Sequence, residues 1–192
     1  MATRVLFDPI RTRQLIESFL GRLEELVCTR AEGGPWALIG IHRRGDLLAQ
    51  RLAQRVAVSR GLHLPMGVLD ITLYRDDYSP DRPQPQIRPT QVPFQLDGAS
   101  VLLVDDVFQT GRTIRAALTQ LADFGRPARI VLAVLMDRKM RELPICPDVV
   151  GVELDLPRGD TVQLRLAEID GADQVVVVTS DSGSPTHATP SR

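Results

Sequence analysis

Hydrophobic residues recur at helical spacing in three parts of the chain. The first follows Asp8-Pro9, a pair suited to the N-cap and the first position of a helix. The second stands behind Asp46, which is placed to cap it. The third approaches Gly125, a residue typical of helix ends. The spacing predicts helices over residues 10–27, 46–56 and 114–121.

Short apolar runs separate these segments and predict buried strands. They lie at residues 36–41, 68–74, 101–104, 130–136, 149–154, 161–166 and 175–179. Strands that alternate with helices favour an α/β fold with a mainly parallel sheet flanked by helices. In such sheets, ligands bind beyond the carboxyl ends of the strands. The loops that leave the strands are therefore the first places to look for chemistry.

Two segments show no period. Residues 75–95 are polar and contain five prolines, and loops of this length inside a compact domain are usually functional or disordered. A tolerated surface insertion is the alternative. Residues 180–192 are rich in Ser, Thr, Pro and Gly, which predicts a disordered tail. We expect a single domain over residues 1–179.

The composition of the chain bears on its cellular location and on whether it binds nucleic acids or membranes. The formal net charge is -1, so a nucleic-acid surface would have to be a local patch. Cys28 and Cys146 form neither a metal pattern nor a disulfide framework, and we expect them to be free and partly buried. The first residues lack the apolar core of a signal peptide, and no apolar run is long enough to span a bilayer. These features predict a cytoplasmic protein with no membrane partner.

Residues 101–113 carry the most chemistry. Asp105 and Asp106 lie where the predicted strand ends, and carboxylates there accept hydrogen bonds from vicinal sugar hydroxyls or hold a hydrated Mg²⁺. A loop with hydroxyls and Gly111 then enters a helix, whose first N–H groups suit a phosphate. The Gly-Lys-Ser/Thr ending of a P-loop and a G-x-G-x-x-G fingerprint are both missing. An ordinary loop with two capping aspartates is the alternative to a ribose 5-phosphate site.

The same segment resembles the 5-phosphoribosyl 1-diphosphate (PRPP) binding motif of type I phosphoribosyltransferases. Ile71-Thr-Leu-Tyr-Arg-Asp-Asp77 and Arg141-Glu-Leu-Pro-Ile145 are similar to the PyrR family, and the similarity covers roughly residues 8–178. That family regulates the pyrimidine biosynthetic operon and acts as a uracil phosphoribosyltransferase. The resemblance implies Mg²⁺-dependent transfer from PRPP to uracil, which yields UMP and pyrophosphate. It also implies UMP-dependent binding to an mRNA leader, and homodimers or higher assemblies. A phosphoribosyltransferase for another base, with no role in RNA binding, is the alternative.

The resemblance also assigns roles in the loops. His42, Arg43 and Arg44 match the loop that holds pyrophosphate, a plausible use of two guanidiniums, although two solvated arginines are the alternative. Asp137 and Arg138 match the place where the base is contacted; as an isolated pair they would form a surface ion pair. The PRPP contacts fall on Val101, Leu102, Leu103, Val104, Asp105, Asp106, Val107, Phe108, Gln109, Thr110, Gly111, Arg112 and Thr113.

Residues 75–93, which follow Tyr74, match a mobile flap over the active site. Tyr74 and Arg75 thereby join Asp105, Asp106 and Arg44 as catalytic candidates. The resemblance implies no direct protein ligand for Mg²⁺, which is expected to arrive with PRPP near the two aspartates.

The chain departs from the family pattern at several positions. Gln109 stands where an aromatic residue is usual, and Lys139 replaces a glycine. Residues 151–155 exchange a basic position for an apolar and acidic stretch, and Ile16 and Leu20 stand where polar residues are usual. Several of these changes remove donors from the surface that family regulators present to RNA. We therefore predict an intact transferase core and weakened RNA binding.

Overall fold

The computed structural model describes residues 2–29, 34–71 and 90–179. Its elements in chain order are β1 (Ala2–Phe7), α1 (Pro9–Cys28), β2 (Trp36–Ile41), α2 (Gly45–Arg60), β3 (Met66–Leu69), β4 (Ser100–Phe108), α3 (Arg112–Leu121), β5 (Arg129–Asp137), β6 (Val149–Glu153), β7 (Thr161–Arg165), α4 (Ala167–Asp170) and β8 (Gln174–Thr179). A 3₁₀ turn over Ala122–Phe124 extends α3 towards Gly125.

Five strands form a parallel sheet in the order β3-β2-β4-β5-β6. The predicted α/β class with a mainly parallel sheet is confirmed. After β2 the chain adds β3 on one side and then returns to add β4 on the other. The strand order therefore reverses between β2 and β4, and the crevice outside their carboxyl ends is the expected ligand site of such a sheet.

Helices cover both faces of this sheet because its strands alternate apolar side chains between two cores. Leu38, Leu102 and Leu135 pack towards α1 and α2, whereas their neighbours Ile39 and Leu103 pack towards α3. Asp8 caps α1 as predicted, since its carboxylate accepts a hydrogen bond from the Arg11 N–H at 2.8 Å. The packing fixes the strands and leaves the loops at their carboxyl ends exposed to ligands.

A second, antiparallel sheet in the order β1-β8-β7 was not predicted. Strand β1 is mostly exposed and has little apolar pattern; it is ordered by pairing with β8 along residues from Ala2 to Phe7. The side chains of Leu164, Val175 and Val177 join the core beneath α1 and α2. This sheet rests against the helical face and brings α4 close to the start of α2.

Several predicted boundaries were wrong. Strand β4 continues to Phe108, because its pairing with β5 extends to the Phe108–Asp137 register. Strand β3 ends at Leu69, and the remainder of its predicted span from residue 72 lies outside the described residues. Cys28 and Cys146 are free, but both are exposed rather than partly buried. Within the described ranges, no helix combines the length and apolar character needed to cross a membrane.

Candidate active site

Four loops meet at one edge of the parallel sheet. They follow β2, β4, β5 and β6, whose carboxyl ends point the same way. The predicted pyrophosphate loop, PRPP motif and base-contact residues therefore converge on the edge where the strand order reverses.

The two aspartates of the PRPP motif lie within β4, not in the loop after it. Asp105 is buried and Asp106 is half-buried, and the two side chains lie within hydrogen-bond reach of each other. The Asp105 carboxylate accepts a hydrogen bond from the Asp106 N–H at 2.9 Å. The longer strand gives both carboxylates a rigid backbone, which suits a group that must bind a sugar in one orientation.

Asp106 and Arg44 are electrostatically linked across the crevice. Removal from water raises the pKa of Asp106, while the positive charge of Arg44 and the hydrogen bond with Asp105 oppose that rise. Gly45, directly after Arg44, lies against Val104 and Asp105, so the predicted pyrophosphate loop and the PRPP motif are adjacent.

The loop after β4 turns sharply into α3. Gly111 has φ +91° and is packed so that a Cβ there would touch Leu143 at 3.4 Å. The helix begins at Arg112, whose N–H lies 3.4 Å from the Thr110 Oγ1 of the loop, and its first turn carries the positive end of the helix dipole. The Thr110 carbonyl accepts hydrogen bonds from the N–H groups of Glu142 and Leu143, which ties this loop to the segment after β5.

The loop after β2 brings Arg43 and Arg44 to the same crevice. Arg43 is exposed. The Arg44 Nη2 lies 3.3 Å from an Asp170 carboxylate oxygen, and its Nε is buried without a hydrogen-bond partner among the described residues. Gly45 follows at a point so close to β4 that a Cβ would lie 2.3 Å from the Val104 carbonyl oxygen. This glycine is required for the loop to lie against the motif strand.

The prediction that Asp46 caps α2 was wrong. The helix begins at Gly45, and no side chain of residues 2–29, 34–71 or 90–179 caps it. The Asp46 carboxylate instead lies 2.8 Å from the His42 Nδ1 and accepts a hydrogen bond from the Leu47 N–H at 2.9 Å. Asp46 therefore orients His42 within the pyrophosphate loop, a role that spacing alone does not reveal.

Asp137 and Arg138 are both buried and do not pair with each other, which excludes the surface ion pair considered from the sequence. Asp137 accepts hydrogen bonds from the Lys139 N–H at 2.7 Å and from the Arg141 guanidinium at 2.6 Å. The Arg138 guanidinium faces carbonyl groups of residues 156–160. The backbone at the end of β5 reaches the crevice, but the side chains of Asp137 and Arg138 are both engaged by groups of the protein.

The remaining catalytic candidates, Tyr74 and Arg75, lie outside the described residues, as does the predicted flap up to residue 89. Of its last residues, Gln91 exchanges backbone hydrogen bonds with Val68 beside β3. The predicted tail from residue 180 also lies outside the described ranges.

Two departures from the family pattern compensate each other. Lys139 adopts φ +54°, the left-handed conformation that favours glycine, and its ammonium pairs with Glu153.

Ile16 and Leu20 also depart from the family pattern, and both are buried in the core beneath α1. Our interpretation of those two residues as lost RNA-facing donors was therefore wrong.

Sequence reasoning missed α4, whose Asp170 holds Arg44. Four residues are too few for a hydrophobic period to appear. The Asp170-Gly171 pair is a turn signal that could have marked the end of the element. Glu168 and Asp173 of the same turn bind Arg51 of α2 at 2.7 Å and 2.8 Å.

Known proteins share the fold described above. Residues 13–163 match the phosphoribosyl transferase domain family. Among solved structures, HGPRT-ase from Leishmania tarentolae in complex with GMP superposes with TM-score 0.64 at 14% identity, covering 93% of this chain and 96% of that one. A hypoxanthine phosphoribosyltransferase from Staphylococcus aureus gives TM-score 0.62 at 17% identity, covering 93% of each. The fold is that of the type I phosphoribosyltransferases.

Curated relatives define the family more narrowly. The bifunctional protein PyrR of Thermus aquaticus is 53% identical over 139 residues, 72% of this chain and 77% of the relative. The bifunctional protein PyrR of Deinococcus deserti is 50% identical over 167 residues, 86% of this chain and 91% of the relative. The chain belongs to the PyrR family.

Proposed function

We propose that this protein transfers the 5-phosphoribosyl group of PRPP to uracil, giving UMP and pyrophosphate. Membership of the PyrR family supports the reaction. The observation that carries the site assignment is the close approach of three loops at the carboxyl ends of the strands: Gly45 lies against β4, and the Thr110 carbonyl accepts a hydrogen bond from the Leu143 N–H. A carboxylate for a sugar, a cation for pyrophosphate and a helix start for a phosphate match the three parts of PRPP.

Each part of the crevice takes one part of the substrate. Asp105 and Asp106 accept hydrogen bonds from the ribose hydroxyls, and residues 110–113 hold the 5-phosphate. Arg43 and Arg44 bind the pyrophosphate. The base lies at the end of β5 beside Asp137 and Arg138. The site thereby fixes the anomeric carbon between the base and its leaving group.

Little acid–base chemistry is needed in this reaction. The transition state resembles an oxocarbenium ion at the anomeric carbon, so positioning, charge stabilisation and exclusion of water lower the barrier. Arginine guanidiniums at the pyrophosphate stabilise the negative charge that grows on it as the bond breaks. The carboxylate of Asp106 lies on the ribose side, where positive charge develops.

The donor set fits a Mg²⁺ that arrives with PRPP. Asp105 and Asp106 place negative charge near the ion without ligating it directly, because Mg²⁺ keeps several waters and substrate phosphates in its shell. The described residues contain no cluster of three or more His, Cys, Asp or Glu side chains that could hold a metal alone. When bound, the ion neutralises part of the pyrophosphate charge.

The direct test follows labelled uracil with PRPP and Mg²⁺. We expect labelled UMP and one pyrophosphate for each UMP formed. Omission of Mg²⁺ and replacement of Asp106 by Ala should each suppress both products together. Pyrophosphate release without UMP would indicate hydrolysis of PRPP and would contradict the proposal.

Residues 75–93 act as a flap over this crevice, and Tyr74 and Arg75 contribute to it. The length, the prolines and the family resemblance support this role. Limited trypsin digestion should cut near Arg75, Arg82 or Arg88 first, and PRPP with Mg²⁺ should protect these bonds. Equal cleavage with and without the ligand would contradict a closing flap.

A second function is UMP-dependent binding to the mRNA leader of the pyrimidine operon, which attenuates its transcription. The relatives are named bifunctional, which favours it. Such a regulator works in the cytoplasm, and family members form homodimers or higher assemblies. A filter titration with the leader RNA should show binding that UMP strengthens and that salt weakens. Absence of any UMP effect would leave a transferase alone.

A further inference from the structure

Arg138 makes an unusual set of contacts for a residue at a strand end. Its side chain is buried, with 3% of its surface exposed. Its Nη1 donates to the Asp160 carbonyl at 2.7 Å, and its Nη2 donates to the Pro157 and Leu156 carbonyls at 3.0 Å and 3.2 Å. These three acceptors are main-chain groups of one stretch, residues 154–160, which we name the cover segment; the Nη2 also lies 3.6 Å from the Met140 Sδ.

These contacts are energetically demanding. Burial lowers the pKa of Arg138, and the neighbouring charges of Asp160 and Asp155 only oppose that effect. The Nε of Arg138 has no hydrogen-bond partner within the described part of the chain. A buried apolar side chain of similar size commonly stabilises a fold as well as a buried charge does. We therefore expect the Arg138 guanidinium to fix the position of the cover segment and to add little to the stability of the fold.

The cover segment passes over the site edge. The Leu154 N–H donates to the Asp137 carbonyl at 2.8 Å, and the Arg138 N–H donates to the Phe108 carbonyl at 2.9 Å. One residue thus links the end of β4, the end of β5 and the segment that leads into β7. The proposed base position lies where these three parts meet.

We propose that Arg138 is a positioning residue that holds the cover segment over the end of β5, so that the segment forms the wall against which the base lies. The inference rests on the proposed function for the identity of the base. Arg138 acts through the segment, and its guanidinium does not touch the base. The planar fork reaches three carbonyls at once, which a lysine ammonium cannot reproduce.

The test compares Arg138→Met and Arg138→Lys with Arg126→Met, a matched change at an exposed arginine that lies before β5, at the opposite end of the strand from Arg138. Loss of the charged hydrogen bonds should raise the KM for uracil roughly tenfold in both Arg138 variants and change the KM for PRPP less than about twofold. Hydrogen exchange should accelerate in residues 154–160 and stay unchanged in residues 100–113. Arg126→Met should leave all of these values unchanged.

Three results would overturn the inference. A raised KM with unchanged exchange in the cover segment would show direct contact between Arg138 and the base. Restoration by lysine would show that the charge alone matters, and unchanged exchange and KM would show that Arg138 holds nothing. If Arg138→Met does not fold, Arg138→Lys carries both readouts. Should wild-type protein not use uracil, the proposed function fails, while the exchange experiment still decides whether Arg138 holds the segment.

Discussion

Two groups of arginines are associated with helix α2: Arg43 and Arg44 precede it, and Arg51 and Arg55 lie along it. The groups differ in how closely they contact carboxylates of the protein. Arg51 and Arg55 bind carboxylates at 2.6–2.8 Å, and these contacts raise the pKa of both guanidiniums. Arg43 is exposed, and Arg44 has one looser contact to Asp170 at 3.3 Å. The residues along the helix have their anions within the protein, whereas those before it face a crevice. This difference separates arginines that hold the fold from arginines available to an anionic ligand.

The largest expected effect comes from exchanging one arginine in each group for methionine. Arg44→Met removes charged hydrogen bonds to pyrophosphate and should weaken PRPP binding about ten- to a hundredfold. Arg55→Met, in the paired group, should leave the PRPP affinity of the folded protein unchanged. Isothermal titration measures both affinities. Equal losses in the two variants would remove the distinction between the groups.

A smaller loss is expected on the sugar side of the crevice. Asp106→Ala removes an acceptor for the ribose hydroxyls and should weaken PRPP binding roughly tenfold. Thr110→Ala removes a phosphate donor and should act in the same direction. Circular dichroism confirms the fold of each variant before titration. Wild-type affinity in a folded Asp106→Ala protein would contradict the assignment of the motif.

The position of the PRPP motif could be predicted from the sequence, because residues 101–113 combine a buried strand, two carboxylates and a glycine in consecutive order. The strand before Arg43 and Arg44 predicted only that they lie at the ligand-binding end of the sheet, and their pyrophosphate role came from the family resemblance. Local pattern was sufficient to place both segments at the carboxyl ends of the strands, and the roles of their residues stay predictions.

The partners of these residues could not be predicted, because they come from distant parts of the chain. Asp170 reaches Arg44 from α4, which depends on the antiparallel sheet for its place. Asp46 was assigned to a helix cap, although His42 on the previous turn competes for its carboxylate. Arg138 follows a strand like a ligand-binding residue, yet the return of residues 154–160 supplies its acceptors.

The paired group should affect stability instead of binding. Buried Glu24 of α1 accepts hydrogen bonds from Arg55 and Ser59, each at 2.6 Å. These contacts lower its pKa from 4.5 to about 2. Glu24→Gln should lower the Tm while leaving the KM for PRPP unchanged. Differential scanning calorimetry and steady-state kinetics measure the two effects.

The stability loss expected for Glu24→Gln should depend on pH. Because folding lowers the pKa of Glu24, its stabilisation is complete above the unfolded value of 4.5 and is lost as pH falls towards about 2. The Tm difference between wild type and Glu24→Gln should therefore be largest above pH 5.5 and shrink across this acidic range. A difference that grows on acidification would contradict the assigned pairing.

The smallest effect is expected at the Lys139–Glu153 pair, where both side chains are more than half exposed. Glu153→Gln removes an anion near the site edge and should strengthen leader RNA binding about two- to threefold, with a steeper salt dependence. An exposed ion pair contributes about 1 kcal/mol or less, so the Tm should hardly change. Weaker RNA binding in this variant would show that Glu153 supports the RNA surface.

The identity of the base tests the central claim most directly, because the fold is shared with purine phosphoribosyltransferases. Uracil, hypoxanthine and guanine would compete at equal concentration for limiting PRPP with Mg²⁺, and the nucleotide products would be quantified. The account predicts that UMP is the main product and that the purines do not reduce its yield. Formation of IMP or GMP in preference to UMP would contradict it.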